Sequence, residues 1–156
     1  MYIFDGAMGT MLQAAGLEEG YCPELFNIER PEVVKDIHAQ YLLHGSDVIT
    51  TNTFGACGLK LEDYDLQDRV REINIAAVKV AKEAIAENKP TARVAGSMGP
   101  TGRFLQPLGN MSFDSIYDTY REQAEALIEG GVDFIIIETI IDVQEMRARS
   151  EERRVG

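Results

Sequence analysis

Asp133-Phe134-Ile135-Ile136-Ile137-Glu138-Thr139 sets four successive apolar residues, three of them β-branched, between two acidic ones. Such a run suits a strand covered on both faces. Gly130-Gly131 just before it suits the end of a helix and a tight turn into that strand. The run stops abruptly on a carboxylate, Glu138, at what would be the strand's C-terminal end. Parallel α/β folds bind their ligands at that end. A lone glutamate there can also simply face water, so the weight falls on whether other stretches repeat the arrangement.

They do. Leu43-His44-Gly45-Ser46-Asp47-Val48-Ile49-Thr50-Thr51-Asn52-Thr53 follows the same order: a helical pattern ending on Gly, an Asp, a β-branched strand, then polar residues. Tyr2-Ile3-Phe4-Asp5-Gly6 and Arg93-Val94-Ala95-Gly96-Ser97 are shorter versions. Their starts, near positions 2, 48, 94 and 134, recur every 40 to 46 residues, which is an internal repeat of βα units. The expected strands are roughly 2–5, 47–51, 93–97 and 133–138. They should lie parallel, as neighbours in sequential order, with helices on the outer face. A doubly wound sheet would instead reverse its strand order at a switch point.

The intervening segments read as helices. Pro31-Glu32 opens one, since proline suits the first helical position and an acidic residue complements the dipole. Val34, Ile37, Tyr41 and Leu42 form its inner stripe, and Gly45 ends it. His38 and His44 on this helix read as solvated or capping. A second helix, from about Gln67 to Glu87, buries Val70, Ile73, Ala77, Val80, Ala81 and Ala84. A third, capped by Ser112 or Asp114, has the stripe Ile116, Tyr120, Ala124, Leu127 and Ile128. A fourth follows Asp142 and begins near Val143. Residues 16 to 30, with Gly16, Gly20 and Pro23, read as an irregular excursion over the bottom of the barrel or sheet.

Composition excludes several classes. With 45% hydrophobic residues the chain is neither disordered nor membrane-bound, and no apolar run approaches a spanning helix. Fifteen basic residues against 26 acidic ones give a charge of −11, which argues against nucleic acid or an anionic membrane as partner. Nothing resembles a signal peptide, so the cytoplasm is the expected location. Cys22 and Cys57 are the only cysteines and lack metal-type spacing, so free thiols are expected rather than a disulfide framework or a metal site.

The ends of the strands carry the chemistry. Asp5-Gly6-Ala7-Met8-Gly9-Thr10 has two glycines three apart, which permit tight turning and close approach to a ligand. Asn52-Thr53-Phe54-Gly55 offers an amide and a hydroxyl for a small polar ligand. Gly96-Ser97-Met98-Gly99-Pro100-Thr101-Gly102 has a spacing that matches neither the phosphate loop nor the dinucleotide fingerprint. The loop runs on through Pro107 and Gly109, a length that suggests function. Cys57 lies near this mouth but has no histidine nearby in sequence to activate it.

Taken together in this order, Asp5–Thr10, Thr51–Ala56, Gly96–Gly102 and Ile137-Glu138-Thr139 resemble the homocysteine S-methyltransferase family, most nearly its cobalamin-dependent members. Cys22-Pro23-Glu24-Leu25 and Pro107-Leu108-Gly109 fit as well, so the resemblance covers about residues 1 to 148. The family fold is a (β/α)8 TIM barrel, which typically needs about 250 residues. The implied fold is therefore α/β: the N-terminal half of such a barrel, truncated after strand four. Residues 149–156, with a single apolar residue in eight, are expected to be a non-native, adapter-like tail.

The resemblance implies a substrate, L-homocysteine, and a site made of Asp5, Gly6, Gly9, Thr10, Thr53, Gly96, Ser97, Gly99 and Glu138. Asp5 and Glu138 match the two carboxylates that hold the α-amino group in the family. Acidic acceptors suit an ammonium in a partly dry mouth, where charge-assisted bonds are the strong ones. The glycine loops would let backbone N–H groups approach the carboxylate. The family binds zinc through three cysteines, including a Cys-Cys pair that this sequence lacks. Zinc ligands are thus expected in a missing C-terminal half, cobalamin in other modules, and no catalytic residue here. The half-barrel is expected to be inactive alone and to self-associate. A betaine- or S-methylmethionine-dependent sister and a non-catalytic amino-acid-binding half-barrel are the alternatives.

Overall fold

The computed structural model describes residues 1–139 and 143–151. Three parallel strands, β1 (Val48–Thr50), β2 (Arg93–Met98) and β3 (Phe134–Ile137), form a sheet in the order β1-β2-β3. The sequential order expected of a barrel segment is the order found. Helices α1 (Met8–Ala14), α2 (Phe26–Glu29), α3 (Pro31–Leu43), α4 (Gly58–Leu61), α5 (Val70–Asn88), α6 (Phe113–Gly130) and α7 (Val143–Glu151) fill the connections. Pro31 stands at the start of α3, and Ser112 caps α6 by accepting a hydrogen bond from the Ser115 N–H at 3.2 Å. Gly131 ends α6 in the left-handed region, φ 87°, where a side chain would be strained.

The aspartates that precede β1 and β3 share one task. Asp47, just before β1, accepts the Ile3 N–H on Oδ2 at 3.1 Å. Asp133, just before β3, accepts the Val94 N–H on Oδ2 at 2.8 Å. In each unit the carboxylate of one strand thus closes an open donor at the start of the preceding one. Lys89 Nζ holds Asp47 Oδ1 from the other side at 2.8 Å. The repeated Gly…Asp spelling in the sequence is the imprint of this repeated lock.

Register sorts the side chains. Ile49 pairs with Val94, while Thr50, Ala95 and Phe134 stand in line, as do Ser97 and Ile136. Partners in register share a face and neighbours along a strand alternate. Ile49 and Val94 therefore meet Leu42, Ala81, Ala84 and Ile85 of the helical layer. Ile135 packs on a second cluster with Val78, Ile116, Tyr120 and Leu127. A fully buried Leu or Ile in such a layer contributes about 2 kcal/mol from burial. The opposite face carries Thr50 and Ser97, with Phe4 and Phe134 meeting edge to face at 6.1 Å.

Four expectations change. The first strand is reduced to one parallel bridge, Phe4 to Val48, supported by Asp5 N–H to Val48 O at 3.0 Å and Val48 N–H to Ile3 O at 3.1 Å. It has a neighbour on one side only, and Tyr2, Ile3 and Phe4 are 62%, 52% and 42% exposed. The excursion lies not over the bottom but against the C-terminal end of β1. Asn27 Nδ2 donates to Asn52 O and Asn52 Nδ2 to Pro23 O, each at 2.8 Å, and the Gly55 N–H donates to Glu24 Oε1 at 2.7 Å. His38 is fully buried rather than solvated, neither ring nitrogen has a hydrogen-bond partner, and burial pushes its pKa down to about 4. His44 does cap, with Nδ1 2.7 Å from Gln40 O. Ile49 and Ala95 are fully buried, although an open half-barrel, expected to self-associate, leaves such strand residues without an opposite layer. Asp142 and residues 152–156 of the proposed tail lie outside the described residues.

Half-exposed Phe134–Ile137 at one side and exposed Tyr2–Phe4 at the other leave two short unpaired edges beside apolar surface. The 156-residue chain is accordingly expected to self-associate at micromolar concentration despite its −11 charge. Sedimentation velocity checks this: a monodisperse monomer that unfolds cooperatively would contradict it.

Candidate functional site

A hollow of about 180 Å³ opens at the C-terminal ends of the strands, lined by Gly6, Ala7, Met8, Gly9, Thr50, Thr51, Asn52, Phe54, Ser97 and Glu138. A larger dent of about 290 Å³ between α1 and α3 offers mostly apolar lining and little convergent chemistry. The strand-end hollow is where polar groups from all three strands converge.

Asp5 leaves the first bridge directly into this rim. Its Oδ2 accepts the Thr50 N–H at 2.8 Å and its Oδ1 the Thr50 hydroxyl at 3.0 Å. Burial raises its pKa to about 6, the two Thr50 bonds pull it back in part, and the Glu138 charge raises it further. Two carboxylates therefore share one mouth, and that arrangement favours a positively charged ligand.

Glu138 is held by Ser97, whose hydroxyl donates to Oε1 at 2.5 Å. Ser97 is itself fixed by a closed loop of bonds. Its N–H donates to Thr51 Oγ1 at 3.0 Å, and Thr53 Oγ1 donates to Ser97 O at 2.7 Å. Because the Thr53 proton is committed to that carbonyl, the 2.6 Å contact between the threonine hydroxyls runs from Thr51 to Thr53. The Ser97 hydroxyl is left free to serve Glu138. Thr139, next in the chain, is a β-branched residue at φ 58°, a conformation such residues rarely hold.

The structure thus gathers Asp5, Gly6, Gly9, Ser97 and Glu138 at one mouth and gives the other named residues different settings. Thr10 is exposed in the first turn of α1. Thr53 is fully buried, its hydroxyl spent on Ser97. At Gly96 a Cβ would stand 3.0 Å from Leu127 Cδ1, so glycine there permits close packing of α6. At Gly99 a Cβ would fall 2.5 Å from Phe54 O, the same atom that accepts the Gly99 N–H at 2.9 Å.

Several residues support the site in roles that the sequence reading does not assign to them. Gln123 Nε2 donates to Thr53 O at 2.8 Å, and Asn74 Nδ2 to Ala56 O at 2.9 Å, each fully buried beneath the loop after β1. Tyr41 donates to Ala7 O at 2.9 Å and abuts Gly6. Glu145 accepts from Thr101 and Tyr120 beneath the loop after β2. The available signal was a polar residue interrupting an apolar helical stripe, as Asn74 does after Ile73 and Gln123 before Ala124.

The thiols present do not fit a metal. Cys22 and Cys57 are both buried and outside any disulfide, and burial together with the Glu24 carboxylate pushes the Cys22 thiol up to about 12. A zinc-binding thiol must instead give up its proton. No group of three His, Cys, Asp or Glu side chains among the described residues could hold a metal ion.

Comparison with known proteins follows the same lines. Methionine synthase of Mycobacterium tuberculosis is 40% identical over 154 residues, and that of Mycobacterium leprae 38% identical, each match taking in 92% of this chain. The chain spans only 13% of the length of these relatives. Among solved structures, the homocysteine methyltransferase MmuM of Escherichia coli superposes in its oxidized form with TM-score 0.82 at 25% identity, covering 99% of this chain and 58% of that one. Its metallated form gives 0.83 at 26% identity, with 59% of that chain covered. These neighbours place the parallel sheet and outer helices as part of a TIM barrel. The sequence profile of homocysteine S-methyltransferase matches residues 2–154, and the chain belongs to that family.

Proposed function

We propose that residues 1–148 form the part of a homocysteine S-methyltransferase domain that grips the amino-acid end of L-homocysteine. The observation that carries this is the pair Asp5 and Glu138 at one mouth, each oriented by a neighbouring hydroxyl. The substrate's ammonium sits between the carboxylates, and Gly6 and Gly9 keep side chains out of its way. Ser97 holds Glu138 by one oxygen and leaves the other for the substrate. Thr50 holds both oxygens of Asp5, one by its N–H and one by its hydroxyl, and the second lone pair of each is left for the substrate. These residues bind and orient; none of them moves a proton in the transfer step.

The reaction proposed for the whole protein is methyl transfer to homocysteine by the methionine synthase route, from 5-methyltetrahydrofolate through cobalamin. The 40% identity to mycobacterial methionine synthases supports this route over a betaine or S-methylmethionine donor. Zinc, if used, draws its ligands from residues outside this chain, because the thiols here do not fit it. A cytoplasmic location accords with the reading, and no helix among the described residues is long and apolar enough to cross a membrane.

The raised Asp5 pKa gives two testable signs. In the ligand-free protein the folded state keeps the Asp5 proton between its ordinary 3.8 and about 6, where the unfolded chain has lost it. The associated stability is present below 3.8 and is lost as pH rises through about 6. Asp5→Asn is therefore expected to raise the melting temperature at pH 7.5 and leave it unchanged near pH 3.5. A cationic substrate favours the ionised form, so homocysteine affinity should fall as pH drops through about 6. Calorimetric titration from pH 7.5 to 5 tests the reading, and affinity that is flat across this range would overturn it.

A further inference from the structure

Glu145 takes no place in the hollow, yet it is among the most constrained carboxylates in the molecule. It lies on α7, is 4% exposed, and accepts three hydrogen bonds on Oε1. Thr101 supplies two, from its N–H at 2.8 Å and its hydroxyl at 3.0 Å. Tyr120 supplies the third at 2.6 Å, its hydroxyl lying also 3.2 Å from Gly99 O. Burying a carboxylate is costly unless it is well bonded, and this one is. Its partners all belong to the loop after β2 or to the helix beneath that loop.

The placement relates Glu145 to Glu138. Glu138 ends β3 and grips Ser97, while Glu145 opens α7 and grips Thr101. One βα unit therefore holds its predecessor's loop by two carboxylates, at residues four apart. Between them Thr139 stands at φ 58°, a strained setting for a β-branched residue. Such a conformation persists only where the surroundings over-determine it. Ser97 and the Met98 carbonyl hold Glu138 from the β2 side, and the Glu145 clamp holds the loop that follows them.

We propose that Glu145, with Thr101 and Tyr120, is a positioning residue: it anchors the loop after β2 and so holds Ser97, which aims Glu138 into the mouth. The part concerning homocysteine rests on the proposed function; the anchoring itself does not. The Glu145 oxygen serves as acceptor for the Thr101 N–H, so a carboxamide can replace it there, whereas a methyl group cannot. Val34→Ala, a core truncation on α3 that packs with Leu12, Phe26 and Ile37, provides a loss of stability with no part in the clamp.

The experiment uses the protein extended to the length of its relatives, as Glu145→Ala, Glu145→Gln and Val34→Ala beside the parent. Amide exchange of the segment 134–139 and homocysteine titration are read in parallel. Glu145→Ala should speed exchange at 134–139 relative to α5 and weaken homocysteine roughly tenfold, the scale of one lost charge-assisted bond. Glu145→Gln should stay within about threefold of the parent, since the acceptor is retained. Val34→Ala should lower the melting temperature with neither local effect. Unchanged exchange at 134–139 in Glu145→Ala would overturn the anchoring, whatever the ligand result. If exchange responds as expected but the parent itself does not bind homocysteine, the anchoring stands and the functional reading falls.

Discussion

Glu138→Gln is expected to weaken homocysteine binding about ten- to hundredfold in a protein carrying the whole domain. The substitution is nearly isosteric, so the loss reports charge. It removes one full negative charge from a half-buried rim where an ammonium would sit. A hydrogen bond to a charged group contributes about 1.5–3 kcal/mol, and the remaining carboxylate, Asp5, keeps binding from vanishing. The Ser97 hydroxyl can still donate to the carboxamide oxygen, so the turn at Thr139 should keep its place. Bound zinc should not change, and Cys57→Ser should leave homocysteine affinity nearly intact, because Cys57 is buried in the core and not part of the rim. Parallel measurement of zinc content and homocysteine affinity checks both halves; loss of zinc in Glu138→Gln would contradict the assignment.

Gly99→Ala is expected to be the most disruptive small change near the site. The added methyl would lie 2.5 Å from the Phe54 carbonyl oxygen and 2.7 Å from a ring carbon of the same residue. Backbone cannot yield as a flexible side-chain tip can, so the loop after β1 must move and the Gly99–Phe54 bond must break. Overpacking of this kind costs about 3 kcal/mol. For a chain of this size that lowers the melting temperature by roughly 6–12 °C. Gly9→Ala is the control, since nothing stands within 4 Å of its Cβ and the residue is helical. It should change stability by less than about 1 kcal/mol. Equal melting temperatures for the two variants would show that the Phe54 contact does not constrain the loop.

The repeat was legible because each βα unit must solve the same local problem with the same residue types. Asp47 and Asp133 each close an N–H at the start of the neighbouring strand, so both follow a helix-ending glycine and precede a β-branched run. Asp5 and Glu138 were legible only as members of an ordered set of motifs. Neither carboxylate has a local sequence partner; Thr50 and Ser97 lie 45 and 41 positions away. The first strand was over-read, because its apolar pattern is that of a strand but one flank has no partner to complete a ladder.

What stayed hidden was the polar underside. Gln123 reaches a carbonyl 70 positions away and Tyr120 a carboxylate 25 positions away. On a helical wheel both sit within the apolar stripe, where a tyrosine reads as core and a glutamine as an exception. Glu24 was placed in an excursion of unknown use, whereas it accepts the Gly55 N–H and so shapes the mouth. Long-range bonds to backbone carbonyls leave no periodic trace in a sequence. Only the fold reveals which loops those side chains lie beneath.

The central claim is that this region recognises the ammonium of homocysteine through Glu138 and Asp5. The most direct measurement is a four-way titration: parent and Glu138→Gln, each with homocysteine and with 4-sulfanylbutanoate, which lacks only the amino group. The parent should bind the des-amino acid about ten- to hundredfold more weakly than homocysteine. Glu138→Gln should weaken homocysteine by a similar factor yet leave the des-amino acid unaffected or slightly favoured, because the two changes remove the same interaction. If Glu138→Gln weakens both ligands equally, the carboxylate does not meet the ammonium and the account of this site is wrong.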